Sequence, residues 1–200
     1  PNAGKSSIIN RLLEDKFSIV TPKAQTTRHR AHAIINGKDF QVVISDTPGF
    51  TTPKNKIHEY MNKKILLSFK DADIILFIVE LGAENRRDNK LIEKIKKIKI
   101  PVLLVLNKVD KVNQDILEEE SNFWSNEIEN IETWVVSAKE NFNIENLKNR
   151  VIELLPEGPK YYPDDIWTDK NERFFVNEII REKIFNTVSY THLTLPTTTI

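Results

Sequence analysis

PNAGKSS, residues 1–7, decides how the rest of the chain is read. Gly4, Lys5 and Ser6 close a G-x-x-x-x-G-K-[ST] pattern, in which backbone amides and a helix N-terminus surround phosphate oxygens. The pattern's first glycine and the strand that should lead into it are expected upstream of residue 1. A lone GKS is also a common turn into a helix, so the reading depends on what the remaining residues supply.

Outward from this loop, strand patterns alternate with helical ones. SIINRLLE has helical spacing, and AHAIINGKDFQVVIS reads as two strands joined at Asn36-Gly37, a strong hairpin signal. DIILFIVE (73–80) and PVLLVLN (101–107) are nearly continuous apolar runs, as expected of strands covered on both faces, and ETWVVSA (132–138) follows them. Helical stretches are expected near 54–70, 86–98, 115–128 and 144–155. The expected fold is a doubly wound, mostly parallel α/β sheet with one antiparallel hairpin and its first strand missing.

Composition fits that fold and narrows the chemistry. The chain has 200 residues, 40% hydrophobic and 29% charged, enough for a core. It has no cysteine, which excludes disulfides and thiolate metal sites and fits a cytoplasmic setting. Twenty-nine basic residues balance 29 acidic ones, so no bulk charge draws the chain to nucleic acid or membrane, and no DNA partner is expected. The four histidines do not cluster. KIKKIKI (94–100) reads as the solvated face of an amphipathic helix with its isoleucines turned inward.

Ligands of such sheets bind at the carboxyl ends of the strands, and the residues there are chemically coherent. DTPG (46–49), NKVD (107–110) and SAK (137–139) follow the third, fifth and sixth strands, counting the missing first one, on the edge that carries Gly4. Together they suit a guanine nucleotide with Mg²⁺. The phosphate loop offers Asn2, Ala3, Gly4, Lys5, Ser6 and Ser7, with Lys5 as a point charge and Ser6 as a metal hydroxyl. Asp46 can hold the metal through water, and Gly49 gives its backbone access to a γ-phosphate. Asp110 can accept from both guanine donors, which adenine does not present. Asn107 can donate to the purine and brace the loops, with Lys108 beside it. Ser137, Ala138 and Lys139 bring a backbone amide to the guanine carbonyl. Lys5 and Gly49 are the catalytic candidates in this set.

KAQTTRHR (23–30) and YYPDDIWTDKNERFFVNEIIREKIF (161–185), added to these motifs, resemble the Era family of bacterial GTPases over about residues 1–186. The resemblance implies a G domain over 1–156 and a linker with the start of a KH-type RNA-binding domain over 157–186. It implies that Thr27 senses Mg²⁺ and γ-phosphate as a catalytic and metal residue. It further implies GTP hydrolysis to GDP, action in assembly of the small ribosomal subunit through its rRNA, a cytoplasmic location, and peripheral contact with the inner face of the cell membrane. Arg28 and Arg30 are the basic residues nearest the expected switch. Asn2 either helps hold K⁺ near the phosphates or only stabilises its turn. Residues 187–200, rich in threonine, depart from the family pattern, read as foreign sequence and are assigned no function.

Phe50 stands where Ras-like enzymes carry a water-orienting glutamine, so hydrolysis without a partner is expected to be slow. Two alternatives to a GTPase switch in small-subunit assembly stay open: a nucleotide-gated binding module with negligible turnover, and another GTPase of the same class acting on ribosome or tRNA. Without the upstream strand, the 200 residues by themselves are expected to bind GTP weakly or not at all and to aggregate.

Overall fold

The structure, a computed structural model, describes residues 2–20, 30–50, 56–82, 89–129 and 131–191. Helix α1 (Lys5–Leu13) starts at Gly4, whose left-handed φ of 85° turns the chain into the helix. It ends at Glu14, also left-handed, where the amides of Glu14 and Asp15 return to the carbonyls of Arg11 and Asn10. Strands β1 (Ala31–Asn36) and β2 (Gln41–Asp46) form an antiparallel hairpin. Helix α2 (Lys56–Ser68), strand β3 (Ile75–Glu80), helix α3 (Asn89–Ile95) and strand β4 (Val102–Asn107) follow. A single 3₁₀ turn at Val109–Lys111 leads to α4 (Gln114–Glu127), β5 (Glu132–Val136), α5 (Ile144–Leu154) and α6 (Glu172–Thr191).

Strands β3, β4 and β5 are parallel in that order, and β4 is central. Its Leu103, Leu104, Val105 and Leu106 are each at most 1% exposed, which explains the unbroken apolar run. Leu103 and Val105 pack with Ile8, Leu12, Leu147 and Val151 of α1 and α5. Leu104 and Leu106 pack with Ile92, Ile95 and Trp124 of α3 and α4. Alternate side chains of one strand thus seed two helical layers, the doubly wound arrangement expected.

The expected single sheet is divided: the hairpin and the parallel strands are separate hydrogen-bonded groups. Packing still joins the groups, because Val42 of β2 lies in the same cluster as Ile8 and Leu103.

The Asn36-Gly37 turn is not the two-residue turn that the dipeptide suggests. Asn36 pairs with Gln41, so the connection is Gly37–Phe40, closed by the Gly37 amide to the Phe40 carbonyl at 3.0 Å. A Cβ on Gly37 would lie 2.2 Å from the Phe40 ring, so room for that ring, rather than a positive φ, calls for glycine here. Asn36 is kept in the strand by distant partners: its amide nitrogen donates to the carbonyls of Asp164 and Ile166.

Those partners belong to the segment after α5, which runs along β1. Ile34 N–H donates to the Trp167 carbonyl at 2.8 Å, and Ala33 bridges Thr168. The Gln41 side chain accepts from the amides of Tyr161 and Tyr162 and donates to the Tyr162 carbonyl. Trp167 and Phe175 rings lie 5.0 Å apart, and Phe17 meets Phe175 edge-on at 5.8 Å. Buried Glu182 of α6 accepts from Lys16 Nζ at 2.6 Å and from the Val20 amide at 3.3 Å. The 157–186 segment is therefore fastened to the domain that precedes it. The helix entering that segment continues to Thr191, past the boundary expected at 186, and residues 192–200 lie outside the described part.

This seam carries a pH prediction. His32 Nδ1 lies 3.2 Å from Asp169 Oδ2. Burial nevertheless holds its imidazole below the ordinary histidine value, opposed by Asp169 and reinforced by the cations of Arg30 and Lys170. The unfolded chain then binds the proton more readily, so this contribution to stability is present above the unfolded pKa and is lost as pH falls through the folded one. Melting temperature should drop as pH falls below about 6.5, the ordinary histidine value, and His32→Gln should flatten that slope. An unchanged slope in the variant would assign the effect to other groups.

Candidate functional site

Asn107, the last residue of β4 and 1% exposed, joins three loops. Its Nδ2 donates to the Ala3 carbonyl at 2.8 Å, and its Oδ1 accepts from the Ala138 amide at 3.1 Å. The loop before α1 and the loop after β5 are thereby hung on the central strand. Gly4 passes so close that a Cβ there would sit 2.2 Å from Asn107 Nδ2. Asn107 therefore acts as a brace. The Ala138 amide, expected to meet a guanine carbonyl, points at this brace, so that contact has to share the amide or use the next one, that of Lys139.

Asp110 sits in the 3₁₀ turn, where Ser137 Oγ donates to its Oδ1 at 2.5 Å. That bond holds the carboxyl below the usual aspartate range, so it is an anionic acceptor at neutral pH. Ser137 Oγ in turn accepts from the Glu140 amide at 3.1 Å. Lys108, left-handed at φ 70°, turns its ammonium to Glu80 Oε1 at 2.8 Å, which leaves its stem on the cleft side of the turn. The resulting open cleft, about 400 Å³, is lined by Gly4, Ser7, Asn107, Asp110, Ala138 and Lys139 among others.

The phosphate end has a different character. Asn2 is exposed with φ 63°, Ala3 is 7% exposed, and Ser6 and Ser7 are half-buried in the first turn of α1. Burial lowers the Lys5 ammonium below the ordinary lysine range, and the Asp46 carboxylate opposes that shift. A cation desolvated this way gains strongly from an adjacent anion. Asp46, 3% exposed at the end of β2, accepts from Ser18 Oγ at 2.6 Å. Gly49 follows in the described stretch after β2, whereas Thr27 and Arg28 lie outside the described residues. Arg30 is bound to Ser45 Oγ and Asp71. Lys94 Nζ stands 5.6 Å from the centroid of the Phe50 ring.

Oxygen donors at Ser6 and Asp46 suit a hard divalent cation. Among the described residues no group of three or more His, Cys, Asp or Glu could hold a metal. No described helix is long and apolar enough to cross a membrane.

Sequence reading missed several residues of this site. Asn10 shapes the chain after α1, its Oδ1 accepting from the amides of Phe17 and Ser18 and its Nδ2 donating to the Ser18 carbonyl. Arg11, Val20 and Lys111 line the cleft. Nothing local marks them, because Arg11 meets partners 127 and 128 residues away.

Residues 1–108 match the family described as 50S ribosome-binding GTPase. The chain is 41% identical over 190 residues to GTPase Era of Clostridium botulinum (strain Langeland), covering 94% of this chain and 64% of that protein. It is 40% identical to GTPase Era of Alkaliphilus metalliredigens, covering 93% and 63%. A crystal structure of Era in complex with MgGDPNP and nucleotides 1506–1542 of 16S ribosomal RNA superimposes with a TM-score of 0.82 at 34% identity, covering 92% of this chain and 63% of that one. The chain thus spans somewhat under two thirds of the length of these proteins.

Proposed function

The chain belongs to the family of 50S ribosome-binding GTPases, with Era GTPases among its relatives, and on that premise we propose that it is a cytoplasmic switch that binds and slowly hydrolyses GTP. The observation that carries this reading is the convergence on Asn107 of the phosphate loop, the NKVD turn and the SAK loop at one sheet edge. In this reading Asp110 accepts from the two guanine donors, the loop around Ala138 and Lys139 faces the guanine carbonyl, and Gly4, Lys5, Ser6 and Ser7 hold the phosphates. Ser6 and Asp46 would hold Mg²⁺, with Thr27 as the γ-phosphate sensor. When bound, Mg²⁺ supplies charge neutralisation at the phosphate oxygens. Lys5 and the backbone amide of Gly49 stabilise charge developing on the transferred group.

The partner in this proposal is the small ribosomal subunit and its rRNA, reached through sequence beyond α6. Its support is the Era structure solved with a 16S rRNA segment. Slow turnover is supported by Phe50, whose ring can neither donate nor accept a proton and lies under Lys94. The same observation favours the second reading, a nucleotide-gated binding module in which turnover is incidental.

One assay separates the two. GTP hydrolysis by the full-length protein should exceed ATP hydrolysis and should rise on adding small ribosomal subunits. Turnover that stays at background with subunits present would favour the gated module. Running the assay in matched K⁺ and Na⁺ buffers tests Asn2: faster hydrolysis in K⁺ supports a bound cation, and equal rates leave Asn2 as a turn residue.

A further inference from the structure

Arg11 projects from the last turn of α1, the helix that begins at the phosphate loop, and reaches across to the loop after β5. Its Nε donates to the Ala138 carbonyl at 2.8 Å and its Nη2 to the Lys139 carbonyl at 3.0 Å. These are consecutive carbonyls, and the planar fork of a guanidinium can hold both at once where an ammonium holds a point. From the other side Asn107 Oδ1 takes the Ala138 amide. The loop is thus pinned by its amide side to β4 and by its carbonyl side to α1.

The consequence follows from peptide planarity. In a trans peptide the C=O and the next N–H point in opposite directions within one plane. Fixing the Ala138 carbonyl therefore fixes the direction of the Lys139 amide, and fixing the Lys139 carbonyl fixes that of the Glu140 amide. The Glu140 amide donates to Ser137 Oγ, which holds Asp110. One side chain therefore sets the direction of backbone amides in the base loop and supports the carboxylate beside them.

We propose that Arg11 is a positioning residue for guanine recognition: it aims the Lys139 amide at the 6-oxo group of the base and ties the 137–139 loop rigidly to the phosphate-binding helix. This rests on the guanine-nucleotide reading of the cleft. Arg11 touches no reacting atom; it acts through the loop.

The test compares GDP with 6-thio-GDP in the full-length protein and its Arg11→Ala and Arg11→Lys variants. The thio analogue keeps both donors that Asp110 reads and replaces only the carbonyl oxygen by a weaker acceptor. Arg11→Ala should weaken GDP binding about tenfold, the loss of two modest hydrogen bonds. It should weaken 6-thio-GDP less than about threefold, so that the preference for oxygen over sulfur shrinks. Arg11→Lys should fall between. Equal weakening of both ligands would make Arg11 only a stabiliser of the loop and would overturn the proposal, as would unchanged GDP affinity. A wild-type protein that binds neither nucleotide would overturn the guanine reading itself.

Discussion

Asp110→Asn is expected to lower GTP affinity about a hundredfold and to make xanthosine triphosphate the better ligand. The carboxylate is an acceptor on both oxygens, and guanine presents two donors to it. Asparagine keeps one oxygen and replaces the other by a donating NH₂, which opposes the exocyclic amino group of guanine and suits the 2-oxo group of xanthine. The fold should tolerate the change, because the amide oxygen can still accept from Ser137 Oγ, which now donates to Asp110 Oδ1 at 2.5 Å. Competitive titration of both nucleotides against a labelled guanine nucleotide measures the switch. Equal GTP affinity in variant and wild type would remove Asp110 from the base site.

A comparably large loss is expected from Gly4→Ala, through a different physical route. Gly4 has φ 85°, where an L side chain is strained by about 1–2 kcal/mol. Its new methyl would also lie 2.2 Å from Asn107 Nδ2. Moving Asn107 aside breaks its bonds to the Ala3 carbonyl and the Ala138 amide, and buried groups left unsatisfied cost about 1–3 kcal/mol. Together these predict about 3 kcal/mol of destabilisation and a melting temperature lower by roughly 9 °C, with nucleotide binding lost beyond what stability explains. Gly82→Ala is the control. Gly82 also has a positive φ, 68°, but among the described residues its Cβ would meet just the Val112 and Ile116 side chains, the nearer at 3.0 Å. It should show the backbone strain without the broken brace. Equal effects at both glycines would mean that the Asn107 brace contributes little.

Much of the fold was legible because it rests on short-range rules. The unbroken apolar run of β4 announced a strand buried on both faces, and Leu103–Leu106 are buried so. The lysine-rich run at 94–100 was legible only in part: helix α3 ends at Ile95, which is a core residue, while Ile98 packs half-buried against the same cluster beyond the helix end. The motifs after β2, β4 and β5 stand at strand ends in the structure, where phosphate, metal and guanine would each demand particular residue types. The Asn36-Gly37 turn misled for a converse reason. The dipeptide's local preference was overridden by bonds from Asn36 to residues 164 and 166, which no local window contains.

By itself, then, the sequence determined the alternation of strands and helices, the residue types gathered at one edge of the sheet, and the backbone points where only glycine fits a phosphate loop. These follow from periodicity and ligand chemistry, which act within a few residues. Tertiary structure alone decided who braces whom: Asn107 between Ala3 and Ala138, Ser18 on Asp46, Arg11 on the loop of Ala138 and Lys139, and Gln41 on the tyrosines of the following segment. Such pairs lie from 28 to 128 residues apart, and they form because packing the two helical layers against β4 brings their backbones within hydrogen-bonding reach. No local propensity encodes that distance, so a side chain's partner is fixed only when the core closes.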